Sequence, residues 1–192
     1  SSHGRRWVWV GWMVDEVVGA MTLSDRDAGG DGFTGGAPTL LGERFLELVR
    51  ATESVLPSTS LHILSNGRSF ANEALARDLA HIRHHDLMLG IPIYSDLAHL
   101  HDHVVQADGA FDETIRGILN LKRFNQRVEI RVVIHKQTYE RQPDLARFIA
   151  RNLTVVDQEV LMGLEMPGVA KDKLPALVIY QPESHQPRAA LN

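Results

Sequence analysis

The chain has 192 residues, 44% of them hydrophobic and 23% charged, which is the balance of an ordinary globular protein and not of a disordered or fibrous one. A formal net charge of −4 and a pI near 6.2 supply no basic face for a phosphate backbone, so nucleic acid is not an expected partner. There is no cysteine, which excludes a disulfide framework and any thiolate metal ligand from this chain.

A chain of this length forms one domain with a sizeable core, burying roughly 70% of its unfolded surface. Its longest apolar runs, such as residues 87–94, fall far short of the ~20 residues that cross a bilayer. No membrane span is expected. Residues 1–12 lack the apolar stretch and small-residue cleavage site of a signal peptide, and a cytoplasmic location is the expectation.

Met13, Val14, Val17, Val18 and Met21 fall at three- and four-residue spacing, which predicts an amphipathic helix over 12–21. An Asp- and Gly-rich turn over 25–32 then leads into a short strand at Phe33-Thr34 that ends in Gly35-Gly36-Ala37-Pro38. Phe45, Leu48, Val49 and Thr52 mark a second helix, which Pro57 stops. A buried strand over 61–64 follows and ends at Ser65-Asn66-Gly67. Leu75, Leu79 and Ile82 mark the next helix. Residues 87–94 read as a strand, and their continuous apolar character suits burial on both faces.

Asp112 and Glu113 open a further helix and Lys122 with Arg123 closes it, matching the helix dipole at both ends. Its core stripe is Phe111, Ile115, Ile118 and Leu119. Val128, Ile130, Val132 and Ile134 then put apolar groups on one strand face, with Glu129 and Arg131 on the other. Pro143 suits the first turn of a helix carrying Leu145, Ile149 and Leu153. A last strand, Val160-Leu161-Met162, runs into Gly163-Leu164-Glu165, and a poorly packed, proline-rich tail is expected over 167–192.

Roughly five strand–helix steps imply an α/β fold with parallel strands, either an open doubly wound sheet or an incomplete barrel. In both, ligands gather at the C-terminal ends of strands. Here those ends are Gly35-Gly36-Ala37-Pro38, Ser65-Asn66-Gly67-Arg68, Tyr94-Ser95-Asp96, His135-Lys136 and Gly163-Leu164-Glu165. Paired glycines admit close approach of an anion to backbone N–H groups, while any single such loop needs turn residues anyway. Arg131 either meets a ligand carboxylate from inside a barrel or pairs internally with Glu129 or another acid. The histidines cluster at His81, His84 and His85 and again at His99, His101 and His103. The second group departs by one residue from the His-x-His-x-Asp-His spacing of metallo-β-lactamase-like hydrolases. The larger expectation for it is a water-facing or helix-capping segment.

Gly32-Phe33-Thr34-Gly35-Gly36-Ala37-Pro38-Thr39-Leu40 resembles the Gly-Gly-Glu-Pro segment of radical S-adenosylmethionine (SAM) enzymes. Ile63-Leu64-Ser65-Asn66-Gly67 resembles the family's third strand end, and Gly90-Ile91-Pro92-Ile93-Tyr94-Ser95-Asp96 its fourth. His101-Asp102, Val104-Val105-Gln106, residues 109–114 and Leu119-Asn120-Leu121-Lys122-Arg123 extend the likeness to the maturase branch associated with His-Xaa-Ser repeat peptides. The resemblance spans about residues 12–168. It implies a partial (β/α)6 barrel over 12–166 with SAM across its strand ends. In the intact form it further implies reductive SAM cleavage at a [4Fe–4S] cluster to modify a peptide or small protein carrying His-Xaa-Ser repeats, with a partner maturase.

By match to the motif, Gly35, Gly36, Ala37 and Pro38 lie by the methionyl end of SAM. Ser65, Asn66 and Ser95 lie near its polar groups, Gly163, Leu164 and Glu165 near its adenine, and Arg131 is a weaker carry-over. Two departures stand against this. The family's Cys-x3-Cys-x2-Cys motif, expected before the helix at 12–21, is absent, so this chain ligates no cluster in the family's way. Ala37 also replaces the acid of Gly-Gly-Glu-Pro. Residues 1–11 do not match the family, and the first strand is expected to be missing, through truncation or a change of reading frame. The expectation is a fragment or degenerate copy of such an enzyme. The alternatives are a non-catalytic barrel that holds a peptide or partner, and a histidine-site metal hydrolase.

Overall fold

In the computed structural model, residues 6–9, 31–34, 38–134 and 138–163 are described. They form one six-stranded sheet: β1 (Arg6–Trp9), β2 (Asp31–Thr34), β3 (Leu61–Leu64), β4 (Leu87–Ile93), β5 (Arg127–Ile134) and β6 (Gln158–Gly163). Every neighbouring pair is parallel, and the spatial order equals the chain order, β1-β2-β3-β4-β5-β6. This order decides between the two architectures that the sequence leaves open. Right-handed crossovers that always step in one direction put every helix on the same face, and the other face curls inward as a barrel wall. Among the described residues β1 and β6 each have a strand neighbour on one side only, as the edges of a partial barrel.

The expected loss of the first strand is corrected. Arg6–Trp9 pairs with β2, Arg6 opposite Asp31 and Trp9 opposite Thr34. Family likeness does not decide strand formation here: a short run with Val and Trp has the residues that suit a pleated surface. The expected helix over 12–21 and the tail over 167–192 lie outside the described residues.

Among the described residues five helices clothe the outer face: α1 (Glu43–Val55), α2 (Glu73–Ile82), α3 (Ala98–Val105), α4 (Ala110–Arg123) and α5 (Gln142–Asn152). α1 buries Phe45, Leu46, Leu48, Val49 and Thr52 along one stripe and stops at Leu56, where the following proline disfavours helical geometry. α2 begins at Asn72, whose side chain accepts from Ala74 N at 3.0 Å. α4 starts at Gly109 with φ +74°, and Asp102 of α3 caps it, its two oxygens accepting from Gly109 N and Phe111 N, each at 2.7 Å.

Strand alternation then sorts the side chains. Leu61 and Ile63 of β3, Leu87, Leu89, Ile91 and Ile93 of β4, and Val128, Ile130 and Val132 of β5 join the helices in one core. The intervening positions face the barrel interior, and register stacks them in layers: His62 beside Met88, Leu64 beside Gly90 and Glu129, Pro92 beside Arg131. Gly90 is small for a reason. A Cβ there would lie 2.8 Å from a Leu64 methyl, 2.9 Å from His62 Nε2 and 3.1 Å from Arg131 Cδ.

Candidate functional site

The C-terminal ends of β3 and β4, with the helices that follow, build the candidate ligand face. Ser65 extends the β3 ladder through its N–H to Gly90 O, 3.1 Å. Its buried hydroxyl lies 2.9 Å from the Thr39 hydroxyl and accepts from Gly67 N at 3.0 Å. Thr39 follows Pro38 at the start of a 3-10 turn, Pro38–Leu41. The structure therefore joins the segment after the paired glycines to the end of β3. Asn66 Oδ1 accepts from Arg68 N at 3.1 Å, closing the turn, and Asn66 O accepts from the Thr114 hydroxyl of α4 at 3.0 Å.

α4 comes closest to this loop at Gly117. A Cβ there would lie 2.1 Å from Gly67 O, a distance only glycine permits. Asn120 adds donors to Phe70 O at 2.9 Å and Ala71 O at 3.2 Å. Arg68 Nε meets Glu113 at 2.6 Å. The β3 loop is thus fixed from α4, whose Thr114, Gly117 and Asn120 recur at three-residue spacing on one helical face.

At the end of β4, Ser95 is fully buried and its hydroxyl accepts from Leu97 N at 3.2 Å, starting the turn into α3. Asp96 receives Arg141 Nε at 3.1 Å and its second guanidinium nitrogen as well, linking the loops after β4 and β5. His101 corrects an expectation. α3 turns His99 and His103 to solvent but buries His101 at 2% exposure, so the three rings diverge and form no common metal site. His101 Nδ1 accepts from Tyr94 N at 3.3 Å, and its ring stands edge-on to Phe111 with centroids 5.6 Å apart. Burial pushes its pKa down to about 4, against the pull of Asp102, so the ring is neutral near pH 7. Between Asn66, Tyr94, His101 and Thr114 lies a cavity of about 120 Å³, room for a few waters or a small group.

Arg131 does point into the barrel, as one of its two readings requires. There it lies 3.7 Å from Glu129 Oε1 and donates to Met162 Sδ at 3.0 and 2.7 Å. His62 Nε2 is 3.5 Å from the same glutamate oxygen. The internal-pair reading of Arg131 is therefore realised in the structure. Gly163 ends β6, opposite Ile134. Gly35, Gly36, Ala37, Leu164 and Glu165 lie outside the described residues, as does His135-Lys136.

Sequence reading placed His101, Thr114 and Asn120 within the likeness but gave them no role as supports of this face, because on a helix their spacing carried no separate polar signal. Arg141 meets Asp96 only through the fold, 45 positions away.

Together these features define a class: a parallel partial β/α barrel whose strand ends and following helices frame a small cleft. No protein-family model matches the chain, and no curated protein matches it. Solved structures do. The chain is similar to native anSMEcpe with bound AdoMet and Cp18Cys peptide, with a TM-score of 0.67 and 17% identity over 85% of this chain and 51% of the other. Native anSMEcpe with bound AdoMet gives 0.63 and 18% identity over 83% and 45%. Streptococcus suis SuiB bound to precursor peptide SuiA gives 0.62 and 16% over 81% and 33%. At these identities the likeness establishes the fold, and the chain spans about half the length of these structures or less. Among the described residues no helix is long and apolar enough to cross a membrane.

Proposed function

We propose that this chain is the barrel of a radical SAM-type peptide-modifying protein, in a form that does not by itself generate the radical. The observation that supports this reading is the sequential six-stranded parallel partial barrel, like that of structures solved with AdoMet and peptide bound. The motif residues at its strand ends agree. On this reading SAM lies across those ends, with Gly35, Gly36, Ala37 and Pro38 by its methionyl part, Ser65, Asn66 and Ser95 near its polar groups and Gly163, Leu164 and Glu165 by adenine. Ser65 and Ser95 already serve their own turns through their hydroxyls. Their part is to hold backbone groups in place, while Asn66 is left with its amide donors. Arg131 tunes the floor of the site instead of binding directly, because Glu129 and Met162 already engage it.

When bound, a [4Fe–4S] cluster supplies the electron that cleaves SAM, and in this family three thiolates hold it. The donor set here does not fit, because the chain has no cysteine. This chain's own residues therefore supply no ligand for the radical-generating cluster. The substrate class is a peptide or small protein with His-Xaa-Ser repeats, a partner maturase is the candidate source of cluster chemistry, and the location is cytoplasmic.

The test is calorimetry with SAM and with a His-Xaa-Ser repeat peptide. Weak SAM binding is expected. Ala37→Glu restores an acceptor for the SAM amino group and tightens binding by about 10- to 100-fold, the equivalent of ~1.5–3 kcal/mol for a charge-assisted contact. Tight stoichiometric SAM binding by the unaltered chain overturns the degenerate form of the reading. Binding of neither ligand overturns the reading itself. Peptide binding that SAM leaves unchanged favours the second reading, a non-catalytic peptide-holding barrel, which the cysteine-free sequence already favours.

A further inference from the structure

Away from the ligand face, the N-terminal side of the barrel carries a second cluster. Glu53 lies in the last turn of α1, and His84 and His85 lie in the loop that feeds β4. Three ligand atoms, one from each residue, lie within 4.8 Å of one another. The His84 side chain is 2% exposed, and neither its Nε2 nor Glu53 Oε2 has a hydrogen-bond partner although both atoms are buried. A buried donor and acceptor left unpaired are costly and rare.

The spacings are informative. His84 Nε2 stands 3.5 Å and His85 Nδ1 3.9 Å from Glu53 Oε2, long for hydrogen bonds. Two ligands on a tetrahedral ion, each with a bond of about 2.0–2.1 Å, stand about 3.3 Å apart. The two edges to Glu53 are therefore within about 0.6 Å of a metal tetrahedron's, and the third lies within 4.8 Å. The rings of His84 and His85 stack with centroids 5.1 Å apart and planes 21° apart, and a nitrogen of each lies within 4 Å of the same Glu53 oxygen. The last turn of α1 contains no basic residue, which leaves the negative end of the helix dipole beside the cluster for a cation.

We propose that Glu53, His84 and His85 form a binding site for a zinc-like divalent transition metal. The donor set is two imidazoles and a carboxylate, with the fourth position open to water. The ion clamps the end of α1 to the start of β4. This site is independent of the SAM reading, since it lies where the chain enters β4 and not at the C-terminal strand ends. Asp86 N donates to His84 Nδ1 at 3.3 Å. A metal on Nε2 needs the ring in its Nδ1–H form, so binding gives up this one long contact, because two N–H donors cannot pair.

The test uses the full chain, untagged, stripped with chelator and titrated with zinc. One ion per chain is expected, with a rise in melting temperature. His85→Ala, at a half-exposed position that leaves the core intact, weakens binding at least tenfold, and Glu53→Gln does the same. His99→Ala and His103→Ala leave it unchanged. In two-bond ¹H–¹⁵N spectra the ring nitrogens of His84 and His85 shift on zinc addition, while those of His99 and His103 stay. Absence of saturable binding overturns the proposal. So does binding that survives both His85→Ala and Glu53→Gln, or that is lost in His99→Ala or His103→Ala.

Discussion

Buried between Tyr94 and Phe111, His101 must stay neutral in the folded protein, whereas in the unfolded chain it takes up a proton near pH 6.5. A histidine with a lowered folded pKa makes the unfolded state bind more protons as the pH falls. Its contribution to stability is therefore full above about 6.5 and is lost progressively down to about 4. The loss is on the order of 3 kcal/mol. Urea unfolding at stepped pH should show this decline, and His101→Gln, which keeps an acceptor for Tyr94 N but does not titrate, should flatten it. His84 shifts in the same direction through burial, so the difference between the two proteins isolates His101. Asp86, lowered first by the Ser60 hydroxyl at 2.5 Å, loses its contribution only as the pH falls below its ordinary value of 3.8.

Between elements, the contact of α4 with the β3 loop governs the ligand face. At Gly117 an added methyl meets the Gly67 carbonyl at 2.1 Å, and backbone cannot yield as a side-chain tip can. Gly117→Ala should cost about 3 kcal/mol as overpacking and displace Asn66 with the loop. Gly109→Ala meets nothing within 4 Å but keeps φ +74°, and should cost only about 1–2 kcal/mol. Thermal denaturation of the two variants checks the order, and ligand titration should show a loss in the first variant alone. The face was legible in sequence as a set of strand ends. Its supports were not, because Thr114, Gly117 and Asn120 read as ordinary helix positions until β3 is laid against them.

Across the whole molecule, a polar column runs up the barrel interior from His62 through Glu129 to Arg131, linking β3 to β5 and, through Met162, to β6. Glu129 is 6% exposed. Removing one member of a buried ionic group leaves the other charge uncompensated, which costs about 3–5 kcal/mol. Glu129→Ala should fall in that range in a urea melt. The double change Glu129→Leu with Arg131→Met should recover most of the loss, since an apolar interior needs no pairing. Failure of the double variant to recover would place the loss in packing against Gly90 and not in charge.

The sequence by itself determined the element types: Val128, Ile130 and Val132 alternate, Phe45, Leu48, Val49 and Thr52 fall at helical spacing, and those local periods survive folding because the core faces they define are large. It also determined that no thiolate site exists in this chain. Tertiary structure decided the rest. Whether parallel strands wind one way or two depends on the direction of each crossover, which no local pattern encodes, and only the order β1 to β6 makes the inner face a barrel. Likewise His101 read as a residue facing water, and Arg131 stood open between a ligand and an internal pair. Their partners, Tyr94, Phe111, Glu129 and Met162, converge on them only when separate elements pack together.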